Sequence, residues 1–155
     1  MQKITTFLWF DKEARQAAKF YTSIFKGSKI KGTDTFSDTP SGAVDVVAIE
    51  LMGQEFVLMS AGPRFKFTEA ISFVVNCETQ DEVDYYWETL TSDGGQESMC
   101  GWLKDKFGLS WQVVPTILNK LLQDKDAAKA KRVMEAMLKM RKIEIKILKQ
   151  AYEQS

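Results

Sequence analysis

The segment TFLWFDKEARQAAKFYTSIF, residues 6–25, overlays SFVVNCETQDEVDYYWETLT, residues 72–91, at a constant offset of 66 with no gap. The overlay sets Phe7 on Phe73, Phe20 on Tyr86, Tyr21 on Trp87 and Ile24 on Leu90. Each copy reads as an apolar strand, a polar turn and an amphipathic helix. A repeat limits the fold more than any motif does, because each copy is one supersecondary unit with one apolar face to bury. The segments beyond the two helices agree as well. SKIKGTDTF, AVDVVAIEL and QEFVLMS are strand candidates after the first helix, the last two joined as a hairpin at Met52-Gly53. SDGGQESM, GWLKDK and LSWQVVP come after the second, with Gly108 marking the corresponding hairpin. The pattern predicts two βαβββ units, residues 1–60 and 70–115, with a linker over 61–69 whose Gly62-Pro63 suits an extended crossing.

From Thr116 the pattern turns helical. Asp126 opens an Ala- and Lys-rich stretch of high helix propensity. Val133, Met137 and Met140 recur at helical spacing, and Ile143, Ile147, Leu148, Ala151 and Tyr152 do so after Arg141-Lys142. Residues 116–155 therefore read as a helical extension with two amphipathic helices and a short one before them. The extension holds ten Lys and Arg against five Asp and Glu, a net of +5. The acids are interspersed and no aromatic precedes Tyr152, which favours a solvated face over a docked apolar stripe rather than a membrane-binding helix.

The chain has 155 residues, 45% of them apolar, enough for one integrated domain with a real core. Lys plus Arg and Asp plus Glu balance at 21 each, so charge points to no nucleic-acid partner. No apolar run has the length of a membrane span, and the acidic residue in MQKITTFLWFD comes too early for a signal peptide. The expected location is the cytoplasm, which two separated thiols, Cys77 and Cys100, also suit.

There is no histidine. That removes His-ligated zinc, the non-heme iron facial triad and Ser-His-Asp catalysis together. Cys100 would need a partner to lower its pKa, and no His supplies one. Glu50, Glu55 and Asp105 could act as general bases if partly buried; Asp105 reads equally as a turn-forming aspartate. No glycine-rich loop joins a strand to a helix, so nucleotide-type cofactor binding has no motif here.

Four stretches, ITTFLWFDKEARQAAKFY, GPRFKFTEAISFVVNCETQDEVDYYW, CGWLKDKFGLSWQVVP and RVMEAMLKMRKIEIKILKQAY, resemble the PhnB-like, demethylubiquinone-methyltransferase-like branch of the vicinal oxygen chelate superfamily. This is the glyoxalase and bleomycin-resistance fold. The resemblance implies an α+β fold whose tandem βαβββ units form a cupped mixed sheet, here with C-terminal helices added. It also implies a homodimer, and metal-ligand positions on the first and last strand of each unit. These positions fall on Thr6, Val57, Ser72 and Gln112, a poor donor set, so no metal and no cofactor is expected. Strand alternation then places Thr6, Leu8 and Phe10 toward the cup, with Phe7 and Trp9 against the helix. Val57 and Met59 join them from the last strand, and Ser72, Val74, Asn76, Gln112 and Val114 line the cup from the second unit.

Gln112 reads either as an amide that orients a ligand or as a core glutamine satisfied by backbone or water. The lining suits a neutral, hydrophobic or aromatic small molecule. Three functions remain open: a metal-independent small-molecule-binding protein, an enzyme of the same fold working without a transition metal, and an interaction module that uses the helical tail.

Overall fold

The computed structural model describes residues 2–154. They divide into two units, one running to Phe67 and the other starting at Thr68. The first contains β1 (Thr6–Phe10), α1 (Ala14–Ile24), β2 (Lys29–Thr39), β3 (Gly42–Leu51) and β4 (Gln54–Ser60). Its sheet has the order β1-β4-β3-β2, with β1 parallel to β4 and the other pairs antiparallel. α1 buries Ala14, Ala17, Ala18, Tyr21 and Ile24, a stripe at helical spacing. That stripe lies on the sheet face carrying Leu8, Phe10, Val47, Ile49, Phe56 and Leu58, all buried. Two polar contacts fix the docking. Ser60 Oγ accepts the Ala14 N–H at 2.9 Å, satisfying a donor the helix start leaves open, and Arg15 grips Asp45 through Nε and Nη2 at 2.9 and 3.2 Å. Met52 and Gly53 both take positive φ, 50° and 87°, as a two-residue turn matched to strand twist requires.

The second unit repeats the plan with β5 (Ser72–Cys77), α2 (Gln80–Thr91), β6 (Gln96–Glu97), β7 (Trp102–Lys104) and β8 (Ser110–Pro115). The order is β5-β8-β7-β6, again with the first strand parallel to the last. α2 starts at Thr79, whose hydroxyl accepts the Glu82 N–H, and it buries Val83, Tyr86, Trp87 and Leu90. These pack against the face holding Cys77, Leu103, Trp111 and Val113, all buried. Each βαβββ part is thus a mixed four-stranded sheet with its own helix on one face, and the class is α+β.

The helices keep the offset of 66, but the strands do not. Val57 lies four residues beyond Gly53, as Gln112 does beyond Gly108; Val57 pairs with Phe7 and Gln112 with Val74, an offset of 67. Three residues, Asp11 to Glu13, separate β1 from α1, whereas only Glu78 and Thr79 separate β5 from α2. A slip of one residue exchanges the two faces of a strand. The ungapped overlay therefore reversed β1. Leu8 and Phe10 are buried on the α1 side and Thr6 shares their face, while Phe7 and Trp9 lie on the other.

Helices α3 (Thr116–Leu122), α4 (Ala127–Leu138) and α5 (Ile145–Glu153) belong to the second unit. Leu118, Val133, Met140, Ile143 and Leu148 form their buried cluster, with Val114 packed against it. Asp126 caps α4, accepting from the Ala128 and Lys129 N–H groups. The segment between α4 and α5 is stitched to the βαβββ part of the unit. Met140 and Arg141 carbonyls accept from the Cys100 and Gly101 N–H groups at 2.8 Å, and the Gln80 side chain bonds Ile143 O and Ile145 N. Gly101 has φ of 84°, and a Cβ there would stand 2.9 Å from Val113 O and 3.1 Å from Ile143 Cγ1, so this close packing depends on glycine.

Candidate functional site

The hairpin Cys100–Pro115 sends alternate residues to opposite faces of its sheet. Leu103, Trp111 and Val113 go under α2. Trp102, Lys104, Ser110, Gln112 and Val114 go to the face that α2 leaves open, together with Ser72, Val74 and Asn76 of β5. Two rungs cross this face. One reads Gln96, Lys104, Ser110, Ser72, and the next reads Trp102, Gln112, Val74. A polar row thus borders a mainly apolar one. Gln112 Nε2 donates to Ser72 Oγ at 2.9 Å, and among the described residues none donates to Gln112 Oε1. The amide is held by one hydrogen bond while its carbonyl oxygen stays available. Val74 is 48% exposed, a large share for a strand valine.

The other expected site residues are split between the two sheets. Ser72, Val74, Asn76, Gln112 and Val114 share one face, although Val114 also meets the helical cluster. Val57 and Met59 lie on the open face of the first unit's sheet, alongside Phe7 and Trp9. Thr6, Leu8 and Phe10 are on the opposite face, under α1, so they do not join Val57 and Met59. Their replacements, Phe7 and Trp9, were hidden by the ungapped repeat; the hairpin glycines align Val57 with Gln112, but only the parallel register of β1 on β4 sets Phe7 beside Val57. Trp9 is fixed by the linker, with its indole N–H donating to Gly62 O at 2.8 Å and Phe65 edge-on at 4.9 Å. Ser110 was not anticipated either, since a serine at a strand start carries no pattern signal.

Two of the three candidate acid–base groups, Asp105 and Glu55, have structural roles. The Asp105 carboxylate is 3% exposed and accepts from the Phe107 and Leu109 N–H groups and from the Trp111 indole, at 2.9, 3.1 and 2.9 Å. It ties the hairpin turn to the core tryptophan. Glu55 pairs with Lys31 at 2.5 Å, which holds its carboxyl below the usual range. Burial, with Glu82 and Glu78 nearby, pushes the Cys77 thiol up to about 12, so it is inert. Cys100 sits in a turn with φ of 60°, its N–H given to Met140 O.

A divalent transition ion does not fit these residues. The four expected positions, Thr6, Val57, Ser72 and Gln112, offer hydroxyls, an alkyl group and an amide, with no carboxylate, thiolate or imidazole. Among the described residues no three His, Cys, Asp or Glu side chains gather as a metal site.

The family model for 3-demethylubiquinone-9 3-methyltransferase matches residues 2–114. The chain belongs to this family. The match ends at Val114, so the tail motif lies outside it. The PhnB protein of Bacillus cereus is 35% identical over 74% of this chain and 100% of its own, with a TM-score of 0.66. Protein PA1353 of Pseudomonas aeruginosa is 22% identical, covering 74% and 98%, with a TM-score of 0.56. A variant of the fosfomycin resistance protein FosX of Listeria monocytogenes, complexed with Mn(II) and a dihydroxypropylphosphonic acid, is 15% identical over 73% and 89%, with a TM-score of 0.52. The last two likenesses are of fold. No curated protein matches.

The family's name implies S-adenosylmethionine, and the residues do not fit it either. The turns Asp11-Lys12-Glu13 and Glu78-Thr79 lead from strand to helix without a glycine. At the start of α2 the Glu82 N–H is already taken by Thr79, and Asp81 and Glu82 crowd the first turn.

Proposed function

We propose that this protein binds a small, neutral, hydrophobic or aromatic molecule without a metal ion, on the sheet face that presents Gln112. The observation that carries this reading is the Gln112 amide, held by Ser72 with its oxygen left over, between Val74 and Trp102. Small-molecule sites combine an apolar lining with a few placed polar groups, and this face has that composition. An amide offers both donor and acceptor but no charge, which favours a carbonyl or hydroxyl over a phosphonate. The protein acts as a homodimer in the cytoplasm and engages neither nucleic acid nor membrane. Among the described residues no helix is long and apolar enough to cross a membrane.

Native mass spectrometry of the purified protein, with elemental analysis of the same sample, tests the reading. The expected result is a co-purifying organic adduct and no stoichiometric transition metal. One zinc, iron, nickel or manganese per chain that survives mild chelation overturns it.

A further inference from the structure

Gln112 and Ser72 are joined by one hydrogen bond, with Gln112 Nε2 donating to Ser72 Oγ at 2.9 Å. That bond leaves two functions over. Gln112 Oε1 receives no donor among the described residues, and Ser72 Oγ, an acceptor in this bond, keeps its own proton. Neither residue is sealed off. Both are partly exposed, and the only enclosed side-chain oxygen or nitrogen without a partner among the described residues is Ser110 Oγ, so Gln112 Oε1 is open to solvent. The two residues come from adjacent parallel strands, one rung apart, since Ser72 lies beside Ser110 and Val74 beside Gln112. The face therefore presents one acceptor and one donor side by side. We propose that the ligand of this face is a planar ring lactam, its N–H donating to Gln112 Oε1 and its adjacent C=O accepting from the Ser72 hydroxyl. This rests on the reading that a small neutral molecule binds beside Gln112.

A ring holds its amide cis, so the N–H and C=O share one edge and meet both partners at once. The flanks suit a flat ring. Trp102 is the cross-strand neighbour of Gln112 on β7, and Val74, 48% exposed, is its neighbour on β5. A ring laid over them covers apolar surface on both sides of the amide. Other classes match this pair less well. A carboxylate brings two acceptors and sets one of them against Gln112 Oε1. An ammonium brings only donors and sets one against the Ser72 proton. Lys104, on the same row as Ser72, is already paired with Glu69 at 2.6 Å, so it offers no lone charge to either ion. A ketone or ether has no donor, and covering Gln112 Oε1 without one is unfavourable.

2-Pyridone is the probe, with N-methyl-2-pyridone, benzoate and benzylamine as controls, followed through the backbone amide shifts of Ser72, Val74 and Gln112 in the full chain. 2-Pyridone is expected to saturate with a millimolar dissociation constant, N-methyl-2-pyridone about tenfold more weakly, and the two ions not to saturate. Ser72→Ala and Gln112→Leu should each weaken 2-pyridone about tenfold. In Gln112→Leu the two pyridones should bind alike, because the N–H has lost its partner there. Unchanged amide shifts away from β5, β7 and β8 show that each variant is folded. If N-methyl-2-pyridone binds the parent as tightly as 2-pyridone while Gln112→Leu weakens both, the lactam is overturned and a neutral ring beside Gln112 stands. A tenfold gap that persists in Gln112→Leu comes from the bulk of the methyl group and also overturns the lactam. If no neutral probe saturates, or none responds to Gln112→Leu, the lactam and the reading of this face fall together. Benzoate binding as tightly as 2-pyridone overturns the ligand class.

Discussion

Gln112 and Asp105 belong to one hairpin and differ in what they face. Gln112 lies half-buried on the open side with its oxygen available. Gln112→Leu keeps the bulk and removes both donor and acceptor. Once the co-purified molecule is identified, its affinity should fall about five- to 150-fold, the equivalent of roughly 1–3 kcal/mol, while the melting temperature stays close to the parent's. A variant that binds normally but melts much lower would make Gln112 scaffold. Asp105 predicts the reverse. Its carboxylate serves two backbone N–H groups and an indole inside the core. Asp105→Ala orphans all three and should cost about 3 kcal/mol or more in urea unfolding. Asp105→Asn, which keeps the oxygen facing the backbone, should cost less. Equal stability of the two variants would disprove that account. From sequence, both roles for Asp105 were open, because the turn was readable but the reach of Trp111 back to it was not.

At the scale of elements, the junction between α4 and α5 depends on contacts that no sequence period announces. Lys142 Nζ meets Asp84 Oδ1 at 2.8 Å, beside the Gln80 amide at 3.0 Å. The Lys142 ammonium first, and Gln80 second, hold the Asp84 carboxyl below its ordinary 3.8. Asp84 in turn raises Lys142 above its ordinary 10.5, with Glu144 and Glu88 adding slightly. A depressed carboxyl contributes stability above its unfolded value and loses it as pH falls through the folded one. A raised ammonium contributes below its unfolded value and loses it as pH climbs through the folded one. The pair should therefore hold from about pH 5 to 9 and fail at both extremes. With side chains 34% and 40% exposed, it is worth no more than about 1 kcal/mol. Asp84→Asn should lower the melting temperature at pH 7 by at most about 2–4 °C, and the difference should shrink as pH falls below the ordinary carboxylate value and through the lowered folded one. A gap that stays the same at every acid pH at which the protein remains folded would mean the ion pair is not its source. Asp126, by contrast, was legible as the start of α4, since an N-cap is a local matter of one side chain and the next turn.

For the whole molecule, the expected assembly is a two-fold dimer. β2 is an edge strand of eleven residues, exposed along nearly its whole length, and it shows Ile30 and Phe36 to solvent at 40% and 53% exposure. An edge this long, carrying apolar side chains, is one that a second copy can cover. Sedimentation at tens of micromolar should give twice the 17.7 kDa chain mass, and a single chain mass would refute it. The sequence alone determined the two βαβββ units and the helical tail, and the resemblance of four stretches pointed to the family. The units and the tail rest on periodicity, turn residues and composition, which act over a few neighbouring positions. It also fixed the absence of imidazole. Only the tertiary structure decided which face of β1 meets α1, because one extra residue in a turn reverses a strand while leaving its pattern unchanged. It alone brought Ser72 to Gln112, Asp105 to Trp111 and Lys142 to Asp84. Such pairs join residues whose neighbours in the chain say nothing about one another; they form only when separate elements have packed.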